Sequence, residues 1–166
     1  MTILGVDPGT ATTGLGVVRN SRGNSLECVS YGCITTPKGK KPGDRLVLLE
    51  KELLQSLQKY KPDAVVVERL YFFKNLKSAM PVSEARGVIL LAIAKKKLPV
   101  FELTPLQVKM AITGYGRADK KQMQRMVQQA LKLPQIPKPD DAADALGLAI
   151  AGVFLLKNEK GLATRF

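Results

Sequence analysis

Residues 63–68, DAVVVE, form an apolar run that ends on an acid. A run without polar alternation marks a strand buried on both faces, the pattern of a parallel sheet. A parallel partner needs a crossover, and the preceding residues supply one. From Asp44 to Tyr60, the side chains Leu46, Leu49, Leu53, Leu54 and Leu57 recur at helical spacing, with Asp44 as the expected N-cap. Further upstream, residues 2–7 (TILGVD), 14–19 (GLGVVR) and 26–35 read as three strands of an antiparallel meander, the first two joined through Pro8-Gly9. Downstream, a helix over 78–97 carries the apolar centre GVILLAIA, and 98–103 (LPVFEL) reads as a fifth strand. Helices over 105–113 and 119–132 are split at Gly114-Tyr115-Gly116, and a last helix runs from near Asp140 to Leu156. The fold class is therefore α/β, a mixed five-stranded β-sheet flanked by α-helices on both faces. No repeat or long linker divides it, so one domain is expected over 1–157, followed by a short C-terminal tail at 158–166.

The chain has 166 residues, a length that suits one domain, and 45% of them are hydrophobic. Its first apolar run, Ile3 to Val6, is far too short for a signal peptide or a membrane span, so the expectation is a cytoplasmic protein with no membrane contact. Cys28 and Cys33 lie five residues apart on one strand. Regular alternation puts them on opposite faces, about 16 Å apart, too far for a disulfide. With 26 Lys and Arg against 14 Asp and Glu, the formal net charge is +12, which favours a polyanionic partner. The chain has no His. That excludes a Ser-His-Asp triad, a Cys-His pair and a His-ligated zinc site, and leaves hydrolytic chemistry to carboxylates, lysine or an oxygen-held metal.

Four acids stand out by position. Asp7 ends the first strand and Glu68 ends the fourth. If those strands are parallel neighbours, both carboxylates emerge at the same end of the sheet, where α/β folds place ligands. Asp141 and Asp144 are three apart at the start of the last helix and share a face. Ala142, Ala143 and Ala145 around them let that helix approach the sheet closely. Crowded carboxylates repel unless cations sit among them, and hard ions such as Mg²⁺ take oxygen ligands. Two such ions can activate water and stabilise the leaving oxygen in phosphodiester cleavage. Each acid also has a plainer reading. Asp7-Pro8-Gly9 reads as a turn, Glu68 as a solvated strand exit, Asp140 or Asp141 as an N-cap, and Asp144 as a partner of the helix dipole. For Asp140 the cap is preferred. For the others, three separate elements converging on one place favour a metal site.

Read in order, ILGVDPGTATTGLGVV, VVVERLYFFKN, SEARGV, LPVFEL, VKMAITGYGRADK and DDAADALGLAIA resemble the RuvC-type Holliday junction resolvases, from about residue 3 to 152. The D-P-G-x-x-x-x-G-x-G opening is moderately specific, and the ordered set ending in D-A-A-D-A-L is strong. The resemblance implies a ribonuclease H-like fold. It also implies a homodimer that cuts two opposed strands of a four-way DNA junction at symmetric positions, with two Mg²⁺ per active site and Mn²⁺ as a substitute. By motif, the catalytic and metal-binding acids fall on Asp7, Glu68, Asp141 and Asp144, the register selecting Asp141 over Asp140. Cooperation with branch-migration proteins of the RuvA and RuvB type is implied as well.

The same resemblance assigns a DNA base contact to the position of Tyr71. Tyr71, Phe72 and Phe73 are consecutive in a chain with few aromatics, and Lys74 and Lys77 follow. Stacking on a base contributes about 1–3 kcal/mol, although Phe72 or Phe73 also reads as core. Lys109 and Lys120 match basic positions near the scissile phosphate, and Arg117, Lys121 and Arg125 extend that basic region. Lys38, Lys40 and Lys41 form a separate basic loop, suited to nonspecific phosphate contact. The apolar helix around Val88 to Ala94 reads as core, and by resemblance as the dimer region, with Met80 and Val82 contributing. Three alternatives compete: an RNA-processing nuclease of the related YqgF type, a non-catalytic junction binder, and an actin-like or sugar-kinase phosphate site. The last would need a second lobe that this length does not supply.

Overall fold

The computed structural model of the chain describes residues 1–21, 25–69 and 76–158, the side chains of 76–78 and 157–158 excepted. Five strands and five helices follow in the order β1 (Thr2–Asp7), β2 (Thr12–Asn20), β3 (Leu26–Thr35), α1 (Pro42–Tyr60), β4 (Ala64–Glu68), α2 (Leu76–Lys95), β5 (Val100–Leu103), α3 (Pro105–Thr113), α4 (Lys120–Ala130) and α5 (Asp140–Asn158). The sheet order is β3-β2-β1-β4-β5. The β1–β2 and β2–β3 pairs are antiparallel, and β1–β4 and β4–β5 are parallel, so the mixed sheet expected from the apolar run at 63–68 is present.

Alternation divides the core between the two faces of the sheet. Leu4, Val6, Val17, Val65 and Val67 pack with α1 and α2, through Leu49, Leu53, Leu57, Ile89 and Ile93. Ile3, Val18, Val66 and Leu103 pack with α3, α4 and α5, through Val108, Ile112, Val127, Leu146 and Ile150. The second face has an unusual floor. Gly5 and Gly16 are partners across β1–β2, and Gly14 is the partner of Asp7. α5 lies on these glycines. A Cβ built on Gly5 would sit 2.0 Å from the Ala145 carbonyl oxygen, and one on Gly14 would sit 2.0 Å from that of Asp141. Ala142, Ala145 and Ala149 are fully buried at this contact. With so few side-chain atoms between them, helix and sheet touch backbone to backbone.

The structure corrects several local expectations. The two cysteines face the same side. β2 pairs Val17 with Ser30 but Val18 with Cys28, leaving Val29 as the extra residue of a bulge. A bulge resets the alternation of its strand, so Cys28 joins the α5-side core and Cys33 lies against Asp141 and Ala142. Both thiols are free. Asp44 does not cap α1. Pro42 opens that helix with Lys41 as the cap residue, and Asp44 lies within the first turn, where its charge suits the helix dipole. Asp140 is the first residue of α5 rather than its cap: Ala142 and Ala143 donate their N–H groups to the Pro139 carbonyl. β5 begins at Val100 because Pro99 has no N–H for the ladder. Among the described residues, no helix is long and apolar enough to cross a membrane.

The backbone contact has a measurable consequence. Gly14→Ala forces helix and sheet apart and is expected to cost about 2–3 kcal/mol or more. Gly32→Ala, whose Cβ meets open space, should stay within about 0.5 kcal/mol of the parent. Denaturant midpoints of the two variants check this, and equal midpoints would contradict it.

Candidate active site

Three elements bring the acids together. In the parallel β1–β4 pair, Val6 is opposite Val67, so Asp7 and Glu68 are the next residues on adjacent strands, both on the α5 side. Glu68 is held at its strand end where the Arg69 N–H donates to the Leu103 carbonyl at 2.8 Å. The seating of α5 on Gly14 sets Asp141 against the same strand end, and Asp144 follows on the helix face turned to Glu68. The turn after Asp7 is also clamped. Thr13 Oγ1 donates to the Gly9 carbonyl at 2.8 Å, and Thr36 Oγ1 donates to the Thr10 carbonyl at 2.6 Å. Arg45 reaches from α1 to donate to that same carbonyl at 2.6 Å and to Thr36 Oγ1 at 2.9 Å.

Electrostatics shows how closely the acids interact. Burial pushes the Asp7 carboxyl up to about 8, and the charges of Glu68, Asp144 and Asp141, with a hydrogen bond to Glu68, push the same way. Burial and the Asp144 charge also raise Glu68, against a smaller opposing effect of its bond to Asp7. The pair therefore shares a proton that stays on Asp7, as two crowded carboxylates must when no cation separates them. Burial raises Asp144 too, but Lys120 opposes it through charge and hydrogen bonding. The Lys120 ammonium lies 3.4 Å from Asp144 and 3.1 Å from Asp140. Partial burial acts to lower Lys120, but these two carboxylates outweigh it and hold the ammonium above the ordinary lysine value.

Beside the acids opens a cleft of about 210 Å³, with Glu68, Lys109, Lys120, Gln124 and Asp144 among its walls and Val108, Met123, Val127 and Leu148 as its apolar part. Both lysines are placed by helix caps. Thr104 Oγ1 accepts from the Gln107 N–H at 3.1 Å while Gln107 Oε1 accepts from the Thr104 N–H at 2.9 Å, which starts α3 directly after β5. Asp119 and Gln122 make the same reciprocal pair at the start of α4, leaving Lys120 as its first residue. Gly114, at φ 69°, closes α3 in the left-handed region and makes the break between the two helices.

Of the expected DNA-contacting residues, Lys109 and Lys120 reach this cleft, whereas Arg117, Lys121 and Arg125 are exposed and are not among its walls. Lys38, Lys40 and Lys41 are exposed on the turn before α1. Tyr71, Phe72, Phe73 and Lys74 lie outside the described residues, as does the side chain of Lys77. The ion pairs of Lys120 and the Arg45 clamp were not foreseen. The signals for the caps were visible as T-x-x-Q and D-x-x-Q, but Arg45 has no local signature, because its partners lie 9 and 35 residues away.

The donor set is chemically that of a hard-cation site. Among the described residues, no group of three or more acidic or thiol side chains is gathered closely enough to enclose one ion as the side chains stand. Mg²⁺ does not require such a cage, because it binds through one or two carboxylates and keeps waters or substrate phosphates. Asp7 with Glu68, and Asp144 beside them, fit that mode, and the burial and carboxylate repulsion that raise all three carboxyls mark where positive charge is short.

In comparison with known proteins, residues 3–152 match the family model described as crossover junction endodeoxyribonuclease RuvC. The chain is 51% identical over 150 residues to the RuvC of Ruminiclostridium cellulolyticum, covering 90% of each chain. Among solved structures it resembles Thermus thermophilus RuvC, with a TM-score of 0.90, 30% identity and full coverage of both chains. It also resembles the T. thermophilus protein in complex with Holliday junction substrate, with a TM-score of 0.89, 28% identity and full coverage of both.

The crowded acids make a pH prediction for the metal-free protein. The ordinary value for Asp7 is 3.8 and its folded value is about 8. Between these the folded chain binds more protons than the unfolded chain, so stability falls as pH rises through that window, by up to about 1.4 kcal/mol per pH unit. Asp7→Asn removes the effect. It should raise the melting temperature by roughly 10 °C or more at pH 8 in chelator and change it little at pH 4. An unchanged melting temperature at pH 8 would contradict the reading.

Proposed function

The chain belongs to the RuvC family of crossover junction endodeoxyribonucleases, and on that premise we propose that Asp7, Glu68, Asp141 and Asp144 form its catalytic metal centre. The protein is a nuclease of the ribonuclease H-like fold that resolves Holliday junctions. The observation that carries the assignment is the convergence of four acids from β1, β4 and α5 within a chain of net charge +12. A basic protein that crowds its carboxylates into one place reserves that place for cations and the rest of its surface for phosphate.

Asp7 and Glu68 would hold Mg²⁺ from the sheet, and Asp141 and Asp144 from the helix, with two ions per site and Mn²⁺ as a substitute. Activation of water and stabilisation of the leaving oxygen are the chemistry that Mg²⁺ would supply there. The chain itself provides the rest. Asp7 gives up the proton it shares with Glu68, so metal affinity rises with pH. Lys109 and Lys120 hold the scissile phosphate and offset charge as the bond breaks. The apolar walls of Val108, Met123, Val127 and Leu148 limit water in the cleft, which strengthens these charge interactions. Arg117, Lys121, Lys74 and Lys77 act on the DNA backbone, and Tyr71, with Phe72 or Phe73, stacks on junction bases.

A four-way junction is two-fold symmetric, and paired cuts need two such sites, which a C₂ homodimer supplies. Its face is assigned to α2. The apolar centre of that helix splits: Ala85, Ile89, Ala92 and Ile93 enter the core, while Met80 and Leu91 stay 73% and 51% exposed. RuvA- and RuvB-type proteins would deliver the junction in the cytoplasm, and residues 1–157 act as one nuclease unit.

Given Mg²⁺ and three substrates, the protein should cut a four-way junction symmetrically and leave a linear duplex and a structured RNA largely intact; equal cutting of duplex and junction contradicts junction selectivity. Asp7→Asn should lose cleavage by at least about 10³-fold, on the scale of losing a catalytic group, yet retain junction binding. Leu91→Arg should shift the protein from dimer to monomer in light scattering, and an unchanged dimer mass would rule out this face.

A further inference from the structure

Asp140 precedes the acids of α5 by one residue; its charge reaches Asp144 but is not among those that reach Asp7. The carboxylates whose charges reach Asp7 are Glu68, Asp144 and Asp141. Asp140 turns instead to α4, and its two oxygens are engaged separately. Oδ1 accepts from Gln124 Nε2 at 3.0 Å, and Oδ2 lies 3.1 Å from Lys120 Nζ. Lys120 and Gln124 are one helical turn apart and both line the cleft with Glu68 and Asp144. The same ammonium lies 3.4 Å from Asp144 Oδ2. One cation is thus shared between a carboxylate of the acidic cluster and a carboxylate outside it.

That arrangement matters once metal binds. A divalent ion held by Asp144 would repel the Lys120 ammonium and compete for the carboxylate that holds it. Without a second anchor, Lys120 would swing into solvent, since its side chain is half-exposed. We propose that Asp140 is a positioning residue that retains Lys120 at the cleft mouth in the metal-loaded enzyme, with Gln124 orienting the Asp140 carboxylate, and that Asp140 is not a metal ligand. The inference rests on the nuclease reading above and assigns Lys120 a place in it that Asp144 alone cannot secure.

The test uses the full chain with Asp140→Asn, Lys120→Met and the double variant. Asn keeps an oxygen for Gln124 and removes the charge that holds Lys120. In Mg²⁺-saturated protein without DNA, Lys120 should be acetylated roughly two- to fivefold faster in Asp140→Asn, the scale of an exposed ion pair. The Mg²⁺ concentration that half-stabilises the fold in thermal melts should change by no more than about two- to threefold, the scale of losing a nearby charge that is not a ligand. Junction cleavage at saturating Mg²⁺ should slow by roughly two- to fivefold in Asp140→Asn, with no further loss when Asp140→Asn is added to Lys120→Met. A Mg²⁺ midpoint raised by about tenfold or more would make Asp140 a ligand and overturn the proposal, as would unchanged Lys120 labelling or independent effects in the double variant. If labelling shifts as expected but the parent protein does not cut junctions, the nuclease reading fails and the positioning of Lys120 stands.

Discussion

Helix α5 rests on the backbone of β1 and β2 at a distance that no side chain could fill. Gly5, Gly14 and Gly16 form the sheet side of this contact, and the carbonyl oxygens of Asp141 and Ala145 press on it from the helix. A sheet–helix interface ordinarily keeps a layer of side chains between its elements. Here that layer is absent over two strands, and the first turn of α5 is carried to the end of β1. Asp141 and Asp144 therefore share one place with Asp7 and Glu68, instead of standing one side-chain layer away.

Such a contact sets the electrostatic problem that the rest of the site answers. Asp7 and Glu68, partly buried and crowded beside Asp144, cannot both ionise cheaply, so Asp7 holds its proton more tightly, and Asp144 draws Lys120 across from α4. The positive charge supplied by the protein is less than the negative charge it has assembled. On the proposed function, divalent cations would complete the balance at the acids, and lysines would complete it along the phosphates of a bound junction. The steep salt dependence expected of such binding, roughly −0.9 in log–log slope per phosphate neutralised, follows from the second.

Much of the fold was legible before any coordinates. The unbroken run at 63–68 required a parallel neighbour, and the leucine spacing from Leu46 to Leu57 supplied the crossover, so the mixed sheet followed. The four acids were legible as candidates because each ends a strand or opens a helix, and the D-A-A-D register separated Asp141 from Asp140. What failed did so where a local rule met a tertiary one. Unbroken alternation predicts the cysteines on opposite faces, but their strand bulges at Val29. The sequence offers Asp140 as a cap, whereas the Pro139 carbonyl accepts the first helical N–H groups and the Asp140 side chain is drawn to Lys120. The alanines of α5 signalled close approach, but the matching glycines on β1 and β2 gain meaning only when both strands are seen under one helix. Arg45, which clamps the turn after Asp7, could not be read at all, because its partners are distant in the chain.

The central claim is that this backbone contact exists to gather Asp7, Glu68, Asp141 and Asp144 around divalent cations. Anomalous diffraction from crystals soaked in Mn²⁺ tests it most directly. The account predicts manganese peaks coordinated by these four carboxylates, with Asp140 still bound to Lys120. Peaks confined to other sites, or a manganese ion held by Asp140, would contradict it.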